Sequence, residues 1–268
     1  MDLPSRTLAL REAGRDISLR TRPTNSLSGR LKWWHQRGEA ASGLAFVGVA
    51  GIAALGGFRA VDTAVTSAVA PAAPCLVVAA SQLASLAFAA EICAVYGVVL
   101  SLVLFFRQRP VGAAAVLMLL AGTVGIELAC KWLVFQPGPG AAMLGISRPD
   151  CPMIPYPLTQ VPASVAPNSL PSGFATRAAF FGALLLGLAP VTAPGTRRWL
   201  TLATVAGVSL VGASRVVILW HWPSDILAGI LLGAALGMLA LRALAVERAQ
   251  TTAVYRRGAA ALAGPLLP

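Results

Sequence analysis

Charge is scarce in this chain. Only 12% of its 268 residues are Asp, Glu, Lys or Arg, against roughly 25% in a soluble domain. Acidic residues are the scarcer sign, 10 against 21 basic ones. Histidine is almost missing: His35 and His221 are the two, so histidine chemistry outside the polar N-terminal segment falls to His221. The four cysteines, Cys75, Cys93, Cys130 and Cys151, form no Cys-x-x-Cys pair, which removes the usual cysteine zinc site. Cys93 lies inside an apolar run. Cys75 and Cys151 could both face outward and could pair, but nothing in the sequence requires it. No internal repeat is visible.

What fills the chain instead is apolar: 57% of residues, with a mean hydropathy of +0.74. The charges gather in the first forty residues, two short turns and the tail, and leave runs long enough for membrane spans of about 20 residues. The fold expected is all-α, a polytopic membrane bundle of about six transmembrane helices. The spans are expected near 43–58, 86–106, 111–131, 171–191, 199–219 and 223–243. The run from Cys75 to Phe106 is too long for one untilted crossing, about 48 Å against about 30 Å of hydrocarbon, so 75–85 is expected to be interfacial or re-entrant. Residues 1–42 form a polar basic tail with no signal-peptide pattern, expected to be flexible. Its Leu31–Arg37 stretch mixes Trp and basic residues and suits a membrane surface. Residues 43–243 form the transmembrane domain and 244–268 a C-terminal tail.

The net charge of +11 does not point to nucleic acid. The basic residues flank apolar spans, as topology signals do. The N-terminal segment, the turns at 107–110 and 195–198, and the tail are basic and fall on one side of six spans. The segments 59–85, 136–170 and around 220 fall on the other. Both termini are therefore expected in the cytoplasm, of a bacterial inner membrane.

Ionisable residues within spans are costly and usually functional. Here they are Glu91, Glu127, Lys131, Arg177, Arg215 and Asp225, most of them toward the outer helix ends, near His221. Glu127 and Lys131 can pair at i, i+4. Pro223 suits the first turn of the sixth helix, which sets Asp225 to accept from His221 Nδ1 and leave Nε2 free as nucleophile or base. Arg215 suits a phosphate. Pro171-Ser172-Gly173 opens a helix whose free amides and hydroxyl suit an anion. Lys131, Ser172, Gly173, Arg215, His221 and Asp225 thus read as a phosphate site with a histidine nucleophile.

These residues carry a resemblance. Ser214-Arg215, five residues, His221, three residues and Asp225 resembles the third motif of the type 2 phosphatidic acid phosphatase family, which is related to the vanadium haloperoxidases. Pro171-Ser172-Gly173 resembles the start of the second, Pro-Ser-Gly-His. Lys131 with Pro139 resembles the first, Lys, six residues, Arg-Pro. The resemblance covers about 85–243 and implies an active site at the non-cytoplasmic helix ends. It implies His221 as nucleophile forming a phosphohistidine, Asp225 as its orienter, and Lys131, Ser172, Gly173 and Arg215 as phosphate ligands, with no metal and no other cofactor. The implied partner is a lipid phosphate or diphosphate, isoprenoid or glycerolipid.

Two positions depart from the pattern. Gly138 stands where the first-motif Arg would be, and Phe174 where the second-motif His, the general acid, would be. Arg148 or Arg177 could replace the missing guanidinium. Losing a general acid typically slows a reaction 10²–10⁴-fold. Three readings follow: a weak or specialised phosphatase or phosphotransferase for substrates with good leaving groups, a pseudophosphatase that binds lipid phosphates without turnover, and a scaffold or lipid carrier.

Overall fold

The computed structural model describes residues 25–140, 144, 151, 168–189 and 193–262, with side chains between 38 and 255. The chain divides into two units, Met1–Arg37 and Gly38–Pro268. Within the first, the backbone is helical from Asn25.

Among the described residues, eight helices follow in order: α1 (Asn25–Ala54), α2 (Arg59–Val69), α3 (Cys75–Leu86), α4 (Ala90–Phe106), α5 (Pro110–Leu133), α6 (Gly173–Leu188), α7 (Pro194–Val217) and α8 (Pro223–Leu262). No strand occurs among the described residues. Proline opens α5, α7 and α8, where a missing N–H is harmless and a fixed φ suits the first turn. Between α1 and α2, Gly56 takes φ +73°, and the chain bends by 89°. A side chain would be strained in that left-handed conformation.

The fold is a multi-pass helical membrane bundle, but the expected count of six spans is not confirmed. Four helical stretches are long and apolar enough to cross: Cys75–Phe106, Pro110–Leu133, Pro194–Val217 and Pro223–Tyr255. The bent pair Gly38–Ala54 and Arg59–Val69 could make a fifth, and Gly173–Leu188 is apolar but short. Residues 75–86 form a helix that is interrupted at 87–89 before α4, and the two together make one apolar stretch of 32 residues. Both tails also contain more helix than their composition suggests. α1 begins at Asn25, and α8 runs unbroken past residue 243 to Leu262.

Outward faces carry large apolar side chains such as Leu102, Phe105, Met118 and Leu210, as lipid requires. Inside, the bundle is divided by polarity. Toward the turn at 107–109 lies a cluster of Leu104, Val116, Leu120, Phe180, Leu184, Leu232, Leu236 and Leu244. Glu247 of α8 closes this end by accepting from the Val111 and Gly112 amides at 2.9 and 3.0 Å, which satisfies two free N–H groups at the start of α5. At the opposite end the interior holds Asp62, Thr66, Ser85, Thr176, Arg215, His221 and Asp225. Ser85 and Ser214 join α3 to α7 through a 2.7 Å hydroxyl pair.

The closest helix contact is α6 on α8. Gly229, Gly233 and Gly237 of α8 lie against α6 so tightly that an added Cβ would come within 2.5 Å of Ser172 O, 2.0 Å of Thr176 O and 2.8 Å of Phe180 O. Small residues at four-residue spacing let backbones approach in lipid, where packing rather than water exclusion holds helices together. The seam fixes the start of α6 beside the start of α8. A disulfide joins Cys75 to Cys151, the pairing the sequence left open. Cys151 packs against the cluster of Val78, Val217 and Ile218 near the end of α7.

Candidate active site

α7 ends in a left-handed residue. Leu219 takes φ +60°, Leu219 N–H donates to Val216 O at 3.0 Å, and Trp220 N–H donates to Arg215 O at 3.0 Å. This pair of bonds is the Schellman closure. It turns the chain sharply, so that His221 follows directly on the helix that carries Arg215. Four residues on, in the first turn of α8, Asp225 is fully buried. Its Oδ2 accepts from the Trp222 amide at 2.8 Å and lies 3.4 Å from His221 Nδ1. The latter is ion-pair distance without hydrogen-bond alignment.

The start of α6 comes up against this turn. Ser172 N–H donates to the Asp225 carbonyl at 3.0 Å, so the two helix beginnings are joined by backbone. Ser172 forms no side-chain cap on α6, and its buried Oγ has no hydrogen-bond partner among the described residues. Lys131, near the end of α5, reaches Glu127 Oε1 at 2.9 Å, the i, i+4 pair expected. Arg177 does not snorkel outward. It is buried, donates from Nε to Phe88 O at 2.9 Å and from Nη1 to Glu127 Oε2 at 3.1 Å.

The two departing positions are also here. The Arg215 guanidinium carbon lies 3.6 Å from the Phe174 ring centroid and 4.9 Å from the Trp220 ring, and Arg177 lies 5.2 Å from the Phe174 ring. Phe174 is therefore packed between the two arginines. Stacking uses the face of a guanidinium and leaves its in-plane N–H groups directed sideways. Gly138 is beside Trp220 O, with an ordinary 3.4 Å to an added Cβ. Arg148 lies outside the described residues.

The structure adds partners the sequence reading missed. Asp62 of α2 accepts from the Ser224 amide at 2.9 Å and the Ser224 hydroxyl at 2.5 Å, placing a carboxylate at the positive end of α8. Gln136 Nε2 donates to the same hydroxyl at 3.0 Å. Asn168 donates to Lys131 O at 2.8 Å and accepts from the Gln136 amide at 3.0 Å, which pins the loop leaving α5. Asp62 is the lone acid between Glu39 and Glu91 in sequence, and its partner is 162 residues away. Beside Trp222 and Asp62 opens a cavity of about 540 Å³, lined also by Arg59, Phe58, Gln136 and Leu144.

One end of the bundle thus brings together the buried His221–Asp225 pair, Arg215 on the preceding helix, and Lys131 and Arg177 on the shared carboxylate of Glu127. The PAP2 superfamily profile matches residues 110–248, more than half of the chain, and the chain belongs to that superfamily. The fold is similar to that in the "Crystal structure of the first transmembrane PAP2 type phosphatidylglycerolphosphate phosphatase from Bacillus subtilis", with a TM-score of 0.56 and 17% identity over 75% of this chain and 93% of that one. No curated protein sequence matches.

Proposed function

We propose that this protein is a lipid phosphate or diphosphate phosphatase, or a phosphotransferase between lipids, working through a phosphohistidine at His221. The observation that carries the reading is the buried Asp225 beside His221 Nδ1, an arrangement that leaves Nε2 to attack phosphorus. In the first half-reaction Nε2 forms the N–P bond as the P–O bond to the leaving lipid breaks. In the second, water or a lipid acceptor takes the phosphoryl group and frees His221. Lys131, Arg215, Ser172 and the Gly173 amide hold the phosphoryl oxygens, and buried Arg177 supplies the guanidinium that Gly138 lacks.

No histidine at position 174 protonates the leaving oxygen. A diphosphate suits this site, because a lipid monophosphate leaves without much help. An apolar groove of about 620 Å³ between α4, α6 and α7, from Phe88 past Tyr96 and Phe181 to Leu188, suits a hydrocarbon tail, isoprenoid or glycerolipid. It begins at the residue whose carbonyl binds Arg177. The site faces the non-cytoplasmic side of a bacterial inner membrane, with both termini in the cytoplasm, on the charge asymmetry of the loops.

The test is phosphate release by purified protein in detergent, comparing a lipid diphosphate with phosphatidic acid. Release from the diphosphate, lost in His221→Ala, is the expected result. A second reading is favoured by Phe174 itself, whose ring covers one face of Arg215: a pseudophosphatase that binds or carries lipid phosphates without turnover. Retained lipid phosphate binding with no release from either substrate would establish it. Phe174→His with Gly138→Arg would then restore release.

A further inference from the structure

Glu127 extends from α5 to the N-terminus of α6. A Cβ built on Gly173 would be 2.0 Å from its Oε2, 2.3 Å from its Oε1 and 2.3 Å from its Cδ. The whole carboxylate therefore lies against the Gly173 backbone, where a helix start offers its amides and positive dipole end to an anion. Only glycine permits that approach. The same carboxylate holds Lys131 Nζ at 2.9 Å through one oxygen and Arg177 Nη1 at 3.1 Å through the other. In the adjacent residue, Ser172, the fully buried Oγ lacks a hydrogen-bond partner among the described residues. Two cations, a helix N-terminus and an unsatisfied hydroxyl are the donors a phosphoryl group needs, and a carboxylate of this chain already engages both cations and lies against the third.

We propose that Glu127 is an internal occupant of the phosphate cradle, an autoinhibitory carboxylate that an incoming phosphoryl group must displace from Lys131 and the start of α6. This rests on the cradle assignment in the preceding section. The ligand chemistry is a terminal phosphate, from a lipid headgroup or free in solution. Displacement is feasible because the carboxylate is carried on a flexible side chain, while Arg177 has a second anchor in Phe88 O and stays in place. The contact sets a threshold. A phosphate group binds only when its interaction with the cradle exceeds that of the resident carboxylate. The competing idea is that Glu127 positions Lys131 for substrate. The two ideas differ in sign: removing an occupant tightens phosphate binding, whereas removing a positioning group weakens it.

Two unit charges about 4 Å apart repel by about 1 kcal/mol in bulk water and several times that near a protein, so the lower bound is about fivefold in affinity. The experiment measures equilibrium binding of inorganic phosphate and of dioctanoyl phosphatidic acid to the full chain in detergent, for wild type and Glu127→Gln. The expected result is about tenfold or greater tightening for both ligands in the variant. Tighter binding of phosphatidic acid than of inorganic phosphate, in both proteins, identifies the lipid headgroup as the ligand; equal affinities identify free phosphate. Unchanged or weaker binding in Glu127→Gln overturns the proposal. If that variant does not fold, Glu127→Asp withdraws the carboxylate by one methylene, and it must also bind phosphate more tightly than wild type. Arg215→Met in the wild-type background tests the cradle separately. If it leaves phosphate binding intact, the cradle assignment fails; if it abolishes binding while Glu127→Gln does not tighten it, the occupant idea alone fails.

Discussion

Gly233→Ala should cost this protein more stability than any ordinary glycine-to-alanine change in a helix. The added methyl would lie 2.0 Å from Thr176 O and 3.0 Å from Ala179 Cβ, against ordinary contact from about 3.4 Å. The nearest obstacle is backbone, so no rotamer change relieves it, and α6 must move back by about 1.4 Å. Overpacking of this kind costs about 1–3 kcal/mol, and improved helix propensity returns at most about 1 kcal/mol. The 2.0 Å approach to backbone puts this site at the upper end, and a net loss of about 2 kcal/mol lowers the midpoint of a chain this size by about 4–8 °C. Displacing α6 also stretches the bond from Ser172 N–H to the Asp225 carbonyl, so phosphate binding falls with stability. The assay is the apparent thermal midpoint in detergent, with and without phosphate. Gly122→Ala is the control: nothing is within 4 Å of its added Cβ, and its midpoint should equal or exceed that of wild type. A Gly233→Ala midpoint at or above wild type would refute close packing of α6 on α8.

Three further predictions are independent of that seam. Asp225→Asn keeps the shape of the buried side chain but not the charge facing His221, so phosphate release should drop about 10²–10⁴-fold with little change in phosphate binding; a rate within threefold of wild type would argue against the His–Asp assignment. Asp62→Ala removes the acceptor for both Ser224 donors and should lower stability by about 1–3 kcal/mol, read as a lower midpoint. Leu219→Gly relieves a left-handed residue at the end of α7 and should raise stability by about 1 kcal/mol, provided the Schellman bonds persist; a fall would mean that the leucine side chain contributes more packing than the turn costs.

Much of the bundle was legible in the residues. Pro223 marked the start of α8, and the span expected from 111 begins at Pro110, because proline's constraint is local; α7 begins at Pro194, five residues before the expected 199. The His221–Asp225 spacing and the Glu127–Lys131 pair are likewise i, i+4 relations within one short stretch. What escaped reading depends on partners distant in the chain. Gly229, Gly233 and Gly237 look unremarkable in a glycine-rich apolar run until the α6 backbone opposite them is known. Arg177 read only as a possible replacement for the missing guanidinium, since nothing near it in sequence shows Glu127 and Phe88 O converging on it. The segment 75–85, expected to be interfacial or re-entrant on length alone, is a helix of its own, α3, tied to α7 through Ser85 and Ser214. The count of six spans is not confirmed because α6 is apolar but only 16 residues long, and the chain bends sharply at Gly56 between α1 and α2.

The bridge from Cys75 to Cys151 also bears on when the protein matures. Cys151 belongs to the long segment between α5 and α6, and it packs against the cluster of Val78, Val217 and Ile218, next to the Schellman turn that precedes His221. Thiols stay reduced in the cytosol and pair in oxidising compartments. On the proposed topology this bridge closes only on the far side of the membrane, so the helices would be in place before the 136–170 segment is fastened to α3, and newly made protein on the reducing side would lack that tether.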